Sequence, residues 1–338
     1  MPGYTRRQML QTSGVGLGML GLARLLHTSA HAENAGPDPS QPLATRSPHF
    51  SAKAKHVIHI YFNGGPSQID TFDPKPELKK YDGQLLPQGN LTTERKTGAA
   101  FASPFRFDRH GESGLEISEI FPELAKHADD LCVIRSMYAN TPNHEQSMRL
   151  MNCGDERLSR PSLGAWLTYG LGTDNQNLPG FIAMCPGLPV ADVSNWRAAF
   201  LPGIYQGTHL DTRKSKVEEL IENIRPAAVT GSDQQRQLEL LRFLNRRHQQ
   251  TRTEDAVLEA RIQSFELAYR MQLEALDAFD LQREPRHILE QYGDTVHGRQ
   301  LLTARRLIER GVRIVQCYHG DVQPWDSHND LEKGHRQL

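Results

Sequence analysis

Residues 56–75 read HVIHIYFNGGPSQIDTFDPK. A β-branched and aromatic run, Val57 to Phe62, stops abruptly at Asn63-Gly64-Gly65-Pro66-Ser67, and two carboxylates, Asp70 and Asp73, follow. A buried strand that ends in a Gly-Gly-Pro turn and delivers polar groups is how α/β proteins build a site at the carboxyl end of a sheet. The competing reading is a plain strand and turn with solvated aspartates, and the rest of the chain decides between them.

Downstream, strand and helix patterns alternate. Residues 117–127 have the spacing of a helix, with Ile117, Ile120 and Leu124 on one face, and 131–134 (LCVI) read as a short buried strand. Helices are expected at 143–152 and 161–171, the latter with Pro161 near its start, and a strand at 181–184. Residues 299–310 form a further helix ending at Gly311, and 312–318 a strand that runs into His319-Gly320-Asp321. This alternation predicts an α/β fold, a mostly parallel sheet with helices on both faces. Between 232 and 292 the chain becomes long, charged and helical, with Leu258, Ile262, Phe265, Tyr269, Leu273 and Leu276 at three- and four-residue steps. That is an amphipathic helical insertion; heptads are not sustained, so a coiled coil is disfavoured.

The N-terminus has a different character. Thr5-Arg6-Arg7-Gln8-Met9-Leu10 is a twin-arginine pattern, an apolar run from Val15 to Ala23 follows, and Ala30-His31-Ala32 is a small-x-small cleavage signal. Residues 1–32 are therefore expected to be a twin-arginine signal peptide, directing the protein to the periplasm or outside the cell, and the polar, Pro-rich 33–50 a linker. The apolar run is too short for a transmembrane anchor. Cleavage after Ala32 removes three arginines and no acid, shifting the formal charge from −1 to −4. With no long Lys/Arg block, a nucleic-acid partner is excluded as an expectation. Four cysteines without C-x-x-C spacing argue against a disulfide framework; Cys132 and Cys317 read as core residues on strands.

Two strand ends look alike. One offers Asn63, Ser67, Asp70 and Asp73; the other offers His319, Asp321, Asp326 and His328. Carboxylate oxygen and imidazole nitrogen suit a borderline divalent cation such as zinc. A third group, Asn140-Thr-Pro-Asn-His144-Glu145-Gln-Ser147, opens a helix whose first turn could face an anion through His144 or Ser147, or simply be capped by Asn143. There is no G-x-S-x-G, P-loop, G-x-G-x-x-G, H-E-x-x-H or C-x-x-C.

Together, the twin-arginine signal, FNGGPSQIDTFDPKPELKKYDGQ from Phe62, the NTPNH segment and the WDSH near the end resemble domain of unknown function family 1501, over nearly the whole chain. That family is similar to the alkaline phosphatase and sulfatase superfamily. The resemblance implies a three-layer α/β/α domain over 51–338 with a largely parallel sheet, the helical insertion at about 232–292, and a divalent metal site, zinc or calcium, at the carboxyl edge. It implies Asn63, Asp70, Asp73, Asp326 and His328 as metal ligands, His144 in the place of the nucleophile or base, and Ser67 and Asn143 as substrate contacts. Asn63 stands where a sulfatase carries a metal-binding aspartate. The formylglycine signature of arylsulfatases is absent. The family's Gly-Glu-Phe-Gly-Arg strand end is also absent, so the domain is expected to be incomplete at its C-terminal end. The implied function is an exported, metal-dependent hydrolase of phosphate or sulfate esters, acting on a sulfated or phosphorylated small molecule or polysaccharide. The alternative is a non-catalytic secreted binding or scaffold protein on the same fold.

Overall fold

Val57–Phe62 is a strand, β1, and it lies beside the last strand of the chain rather than the next one. The structure, a computed structural model, describes residues 41–86, 97–220 and 277–338, with Thr93 and scattered positions between 236 and 267. The signal peptide, most of the linker and the apolar stripe expected at 258–276 lie outside the described residues. The elements of the fold all belong to one unit, Pro42–Leu338.

A four-stranded sheet is built from β1, β4 (Phe181–Cys185), β5 (Thr208–Asp211) and β6 (Ile314–His319), in the order β1-β6-β4-β5. Every pairing in it is parallel. The α/β expectation therefore holds at the level of a parallel sheet with helices against it. A separate antiparallel hairpin pairs β2 (Phe107–His110) with β3 (Leu115–Ser118). The helices are α1 (Gln68–Thr71), α2 (Pro122–Ala125), α3 (His144–Cys153), α4 (Leu163–Leu171), α5 (Val217–Leu220), α6 (Arg286–Tyr292), α7 (Val296–Glu309) and α8 (Leu331–Gln337). Among the described residues no helix is long and apolar enough to cross a membrane.

Side chains alternate across the sheet, as strand geometry requires. Ile182, Met184, Val315 and Cys317 face a core shared with Ala304 and Leu307 of α7. Phe181, Ala183, Cys185, Ile314 and Tyr318 face the opposite core, which Met148 of α3 and Trp196 complete. Both faces of β4 and nearly all of β6 are buried, so these strands read as continuous apolar runs in the sequence.

Two expected elements take other forms. Residues 117–127 are not one helix: Ile117 belongs to β3, and α2 starts afresh at Pro122. Proline has no N–H to extend a helix backwards and forces the preceding residue, Phe121, out of helical geometry (φ −118°, ψ 57°). Ile117 is fully buried, packed with Ala125 and Ala128 in a small core beneath the hairpin. Residues 131–134 form no strand. Cys132 is exposed, and so is Ile134. An apolar run becomes a strand only where a neighbour pairs with its backbone, and none does so here. The other three cysteines are buried or half-buried, and all four thiols are free.

Candidate functional site

The carboxyl ends of β1 and β6 emerge side by side, because Phe62 sits opposite His319 in the parallel register. Each strand then enters a glycine turn, and the two turns lock together. Asn63 is fully buried, and its Nδ2 donates to the Gly320 carbonyl at 2.8 Å. Its own carbonyl accepts from Trp325 N at 3.1 Å. Gly64 has φ +92°, and a Cβ there would come within 2.6 Å of Asp326 N. Only glycine permits both the backbone conformation and the close approach. Trp325, buried among Phe62, Phe121 and His335, donates its indole N–H to His319 Nδ1 at 2.8 Å. Asp326 thus projects from a short segment held at both backbone and side chain.

The third element arrives from the other side of the sheet. Asn143 caps α3 through its Oδ1, which accepts from Gln146 N at 3.1 Å. His144, the first residue of that helix, places Nε2 3.1 Å from Asp326 Oδ2. His328 places its own Nε2 2.9 Å from the same oxygen. A carboxylate only accepts hydrogen bonds, so His144 donates from Nε2, while His328 stands at ion-pair distance. For His144, Nδ1 meets no hydrogen-bond partner among the described residues, and about a third of its side chain is open to solvent. The body of α3 is anchored by a buried chain of amides. Gln316 of β6 donates to Asn152 Oδ1 at 2.6 Å, and Asn152 donates to Asn195 Oδ1 at 3.0 Å. These bonds set how far α3 stands from β6, and hence where His144 meets Asp326.

Three of the expected site residues, His144, Asp326 and His328, are therefore brought together from positions far apart in the chain. The others are not part of that group. Asp73 is engaged by Lys75 at 2.7 Å and by Arg135 at 3.8 Å. Asp70 is buried, with Oδ1 unpaired among the described residues. Ser67 lies ahead of α1, and its carbonyl accepts from Asp70 N and Thr71 Oγ1. Asp321 is turned toward Gly187 and Arg213. Of the five side chains expected to hold a cation, Asp326 and His328 meet, and the buried Oδ1 atoms of Asn63 and Asp70 have no hydrogen-bond partner among the described residues. Asp73 is engaged in ion pairs with Lys75 and Arg135, Asn63 directs its amide N–H at a carbonyl, and Asp326 Oδ2 faces the imidazoles of His144 and His328. Among the described residues no three His, Cys, Asp or Glu side chains gather around a cation position.

Sequence reasoning marked His319 but missed its surroundings. His297, on the first turn of α7, packs edge-on against it with ring centres 4.6 Å apart. Its Nδ1 is 3.0 Å from Gln300 Oε1. A single histidine on an amphipathic helix gives no signal that it faces inward. Burial, reinforced by His297, lowers the His319 pKa to about 4. The indole bond has the same requirement, since Nδ1 must be unprotonated to accept it. A base whose folded pKa is depressed contributes stability fully above its unfolded value near 6.5. That contribution is lost as pH falls from there toward about 4. The urea midpoint is therefore expected to drop between pH 7 and pH 4.5, and to drop less in His319→Gln, which can still accept the indole N–H. An equal drop in both proteins would remove His319 from the explanation.

The fold and site define an α/β protein whose parallel sheet carries a His–Asp–His cluster at its carboxyl edge. The chain belongs to the family described as "Protein of unknown function (DUF1501)", whose model matches residues 54–338. No curated protein and no solved structure matches it.

Proposed function

We propose that the protein is an exported hydrolase of phosphate or sulfate esters, built on a sulfatase-like, three-layer version of the α/β fold, with His144 as nucleophile or general base. The observation that carries this reading is the 3.1 Å contact of His144 Nε2 with Asp326 Oδ2 at the carboxyl end of the sheet. A carboxylate accepting the Nε2 proton fixes the tautomer and makes Nδ1 the more basic nitrogen, the arrangement used wherever an imidazole must take up a proton. As a base, Nδ1 would remove a proton from a water attacking phosphorus or sulfur while the ester oxygen departs. As a nucleophile, Nδ1 would form the new bond to phosphorus or sulfur while the bond to the ester oxygen breaks and the alcohol departs, and water would later cleave the bond to Nδ1 to release the anion. In both routes Asp326 stabilises the imidazolium-like state that develops. His328, sharing Asp326 Oδ2, holds the carboxylate oriented.

A divalent cation held by Asp326 and His328, with Asn63, Asp70 and Asp73 in support, would polarise the ester oxygen. Binding zinc or calcium would require Asp326 to exchange its imidazole partners for the ion. Substrate contacts from Ser67 and Asn143 belong to this reading too, with a sulfated or phosphorylated small molecule or polysaccharide as the substrate class. Export rests on the twin-arginine pattern.

One observation favours the second reading, a non-catalytic binding or scaffold protein. Asn63 is uncharged, fully buried and bonded through its amide to Gly320, a structural role at a position where a metal-dependent hydrolase needs charge. The two are separated by assaying the purified protein with para-nitrophenyl phosphate and para-nitrophenyl sulfate, alongside metal analysis of the same sample. Release of nitrophenolate that disappears in His144→Ala supports the hydrolase. Equal rates in the two proteins would remove His144 from the mechanism, and no release by either would favour the binding reading instead.

A further inference from the structure

Apart from the His–Asp–His cluster, the sheet offers a second opening at its carboxyl edge. A cavity of about 590 Å³ lies where β4 and β5 end, with Met184, Leu210 and Thr212 contributed by the strands. Its other walls are Phe279 and the N-terminal half of α7, including Gln300. The volume is in the range of small-molecule sites, and the carboxyl ends of parallel strands are where α/β proteins bind ligands. The floor is apolar: Met184, Leu210 and Phe279 are all buried core residues. One buried polar group is already satisfied there, since Gln300 donates to Thr212 Oγ1 at 2.6 Å.

The rim carries more cations than carboxylates. Four cations, Lys214, Lys216, Arg283 and Arg299, line the opening against two carboxylates, Asp277 and Asp280. Both carboxylates are already paired, Asp277 with Arg310 and Arg283, and Asp280 with Arg283. Arg299 is matched by Asp294, outside the lining. Lys216 has only a long contact with Glu219, at 3.7 Å. Lys214 has no acidic partner among the described residues. An apolar floor beneath Lys214, without an acidic partner among the described residues, and the loosely paired Lys216 is complementary to a molecule with a compact apolar body and one anionic group.

We propose that this cavity binds a small amphipathic organic anion, its apolar body against Met184, Leu210 and Phe279 and its anionic group at Lys214 and Lys216. The inference does not depend on the hydrolase reading, because none of these residues touches His144, Asp326 or His328. The cavity does connect to that site. Gln300 bonds both Thr212 and His297, His297 packs on His319, and His319 holds Trp325 next to Asp326.

Calorimetric titration of the full chain with naphthalene sulfonate, which has no ester to hydrolyse, tests the proposal, with naphthol as the uncharged control. The expected result is saturable binding of one sulfonate per chain, about tenfold or more tighter than naphthol, and weakened by about tenfold or more in the double variant Lys214→Glu/Lys216→Glu, the loss of one good ion pair. Affinity in His144→Ala should be unchanged. Both lysines are exposed, so the double variant is expected to keep its fold, and its far-UV circular dichroism checks this. No saturable sulfonate binding, equal affinity for naphthol, unchanged affinity in the folded double variant, or loss of binding in His144→Ala would each overturn the proposal.

Discussion

On the proposed hydrolase reading, Asp326→Asn is expected to lower turnover of para-nitrophenyl phosphate by about 100- to 10,000-fold, the usual contribution of a positioned acid–base pair. The side chain keeps its shape, and its remaining oxygen can still accept one imidazole N–H. What disappears is the negative charge that stabilises His144 as it takes up a proton. Both imidazoles meet the same carboxylate oxygen, so an amide that turns its nitrogen to them removes the acceptor from both. His144 is then free to adopt the other tautomer, with Nδ1 protonated and useless as a base. His144→Ala should fall to the same level, and the double variant no further, since the two groups act as a unit. Asp326 is partly open to solvent, so the melting temperature should change little. A fall of less than tenfold in Asp326→Asn would sink the role assigned to this pair.

Arg306→Met destabilises the folded protein by about 3–5 kcal/mol, the usual cost of breaking a buried ion pair by removing one partner. Arg306 is nearly inaccessible on α7, and every edge of its guanidinium is used. Nε donates to the Ala278 carbonyl at 2.9 Å, Nη2 donates to the Asp277 carbonyl at 2.8 Å, and Nη1 pairs with Glu284. Methionine fills much of the volume but takes the guanidinium donors from the Ala278 and Asp277 carbonyls, leaving the latter only a long bond from Asp280 N at 3.4 Å. Glu284 keeps only Arg305, at 2.5 Å. Urea denaturation reads the effect directly. A loss below about 1 kcal/mol would place Arg306 among ordinary surface pairs.

The elements that can be read in the sequence are those whose pattern is independent of distant neighbours. β4 and β6 are largely apolar because the sheet buries both of their faces, β1 is a part-exposed edge strand marked by its β-branched and aromatic residues, and α3 carries its start signal, Asn143, at its own N-cap. The hairpin is hidden because Ile117 fits a helical stripe as well as it fits β3, and only Pro122 decides. Residues 131–134 have strand composition without a strand partner. Within the candidate site, His144, Asp326 and His328 are visible as polar groups at element ends. Asp73 looks equivalent to Asp70, yet Lys75 two residues on neutralises it, a pairing that depends on how the chain turns after Phe72. The inward polar residues of α7, His297, Gln300 and Arg306, look like a solvated helix face in sequence. Their partners, the ends of β5 and β6 and the segment around Ala278, are remote in the chain.

The register that places Phe62 beside His319 joins residues 257 positions apart, and the Asn63–Gly320 bond spans the same distance. Loop-closure entropy of that size must be overcome before the contact returns any stabilisation, which makes such pairings slow to form. The first strand to leave the ribosome therefore has to wait, unpaired on this edge, until the chain has been made through β6. His144 has the same wait, because Asp326 follows later still. A protein recovered with the candidate site intact has therefore already closed the 257-residue separation of Phe62 and His319.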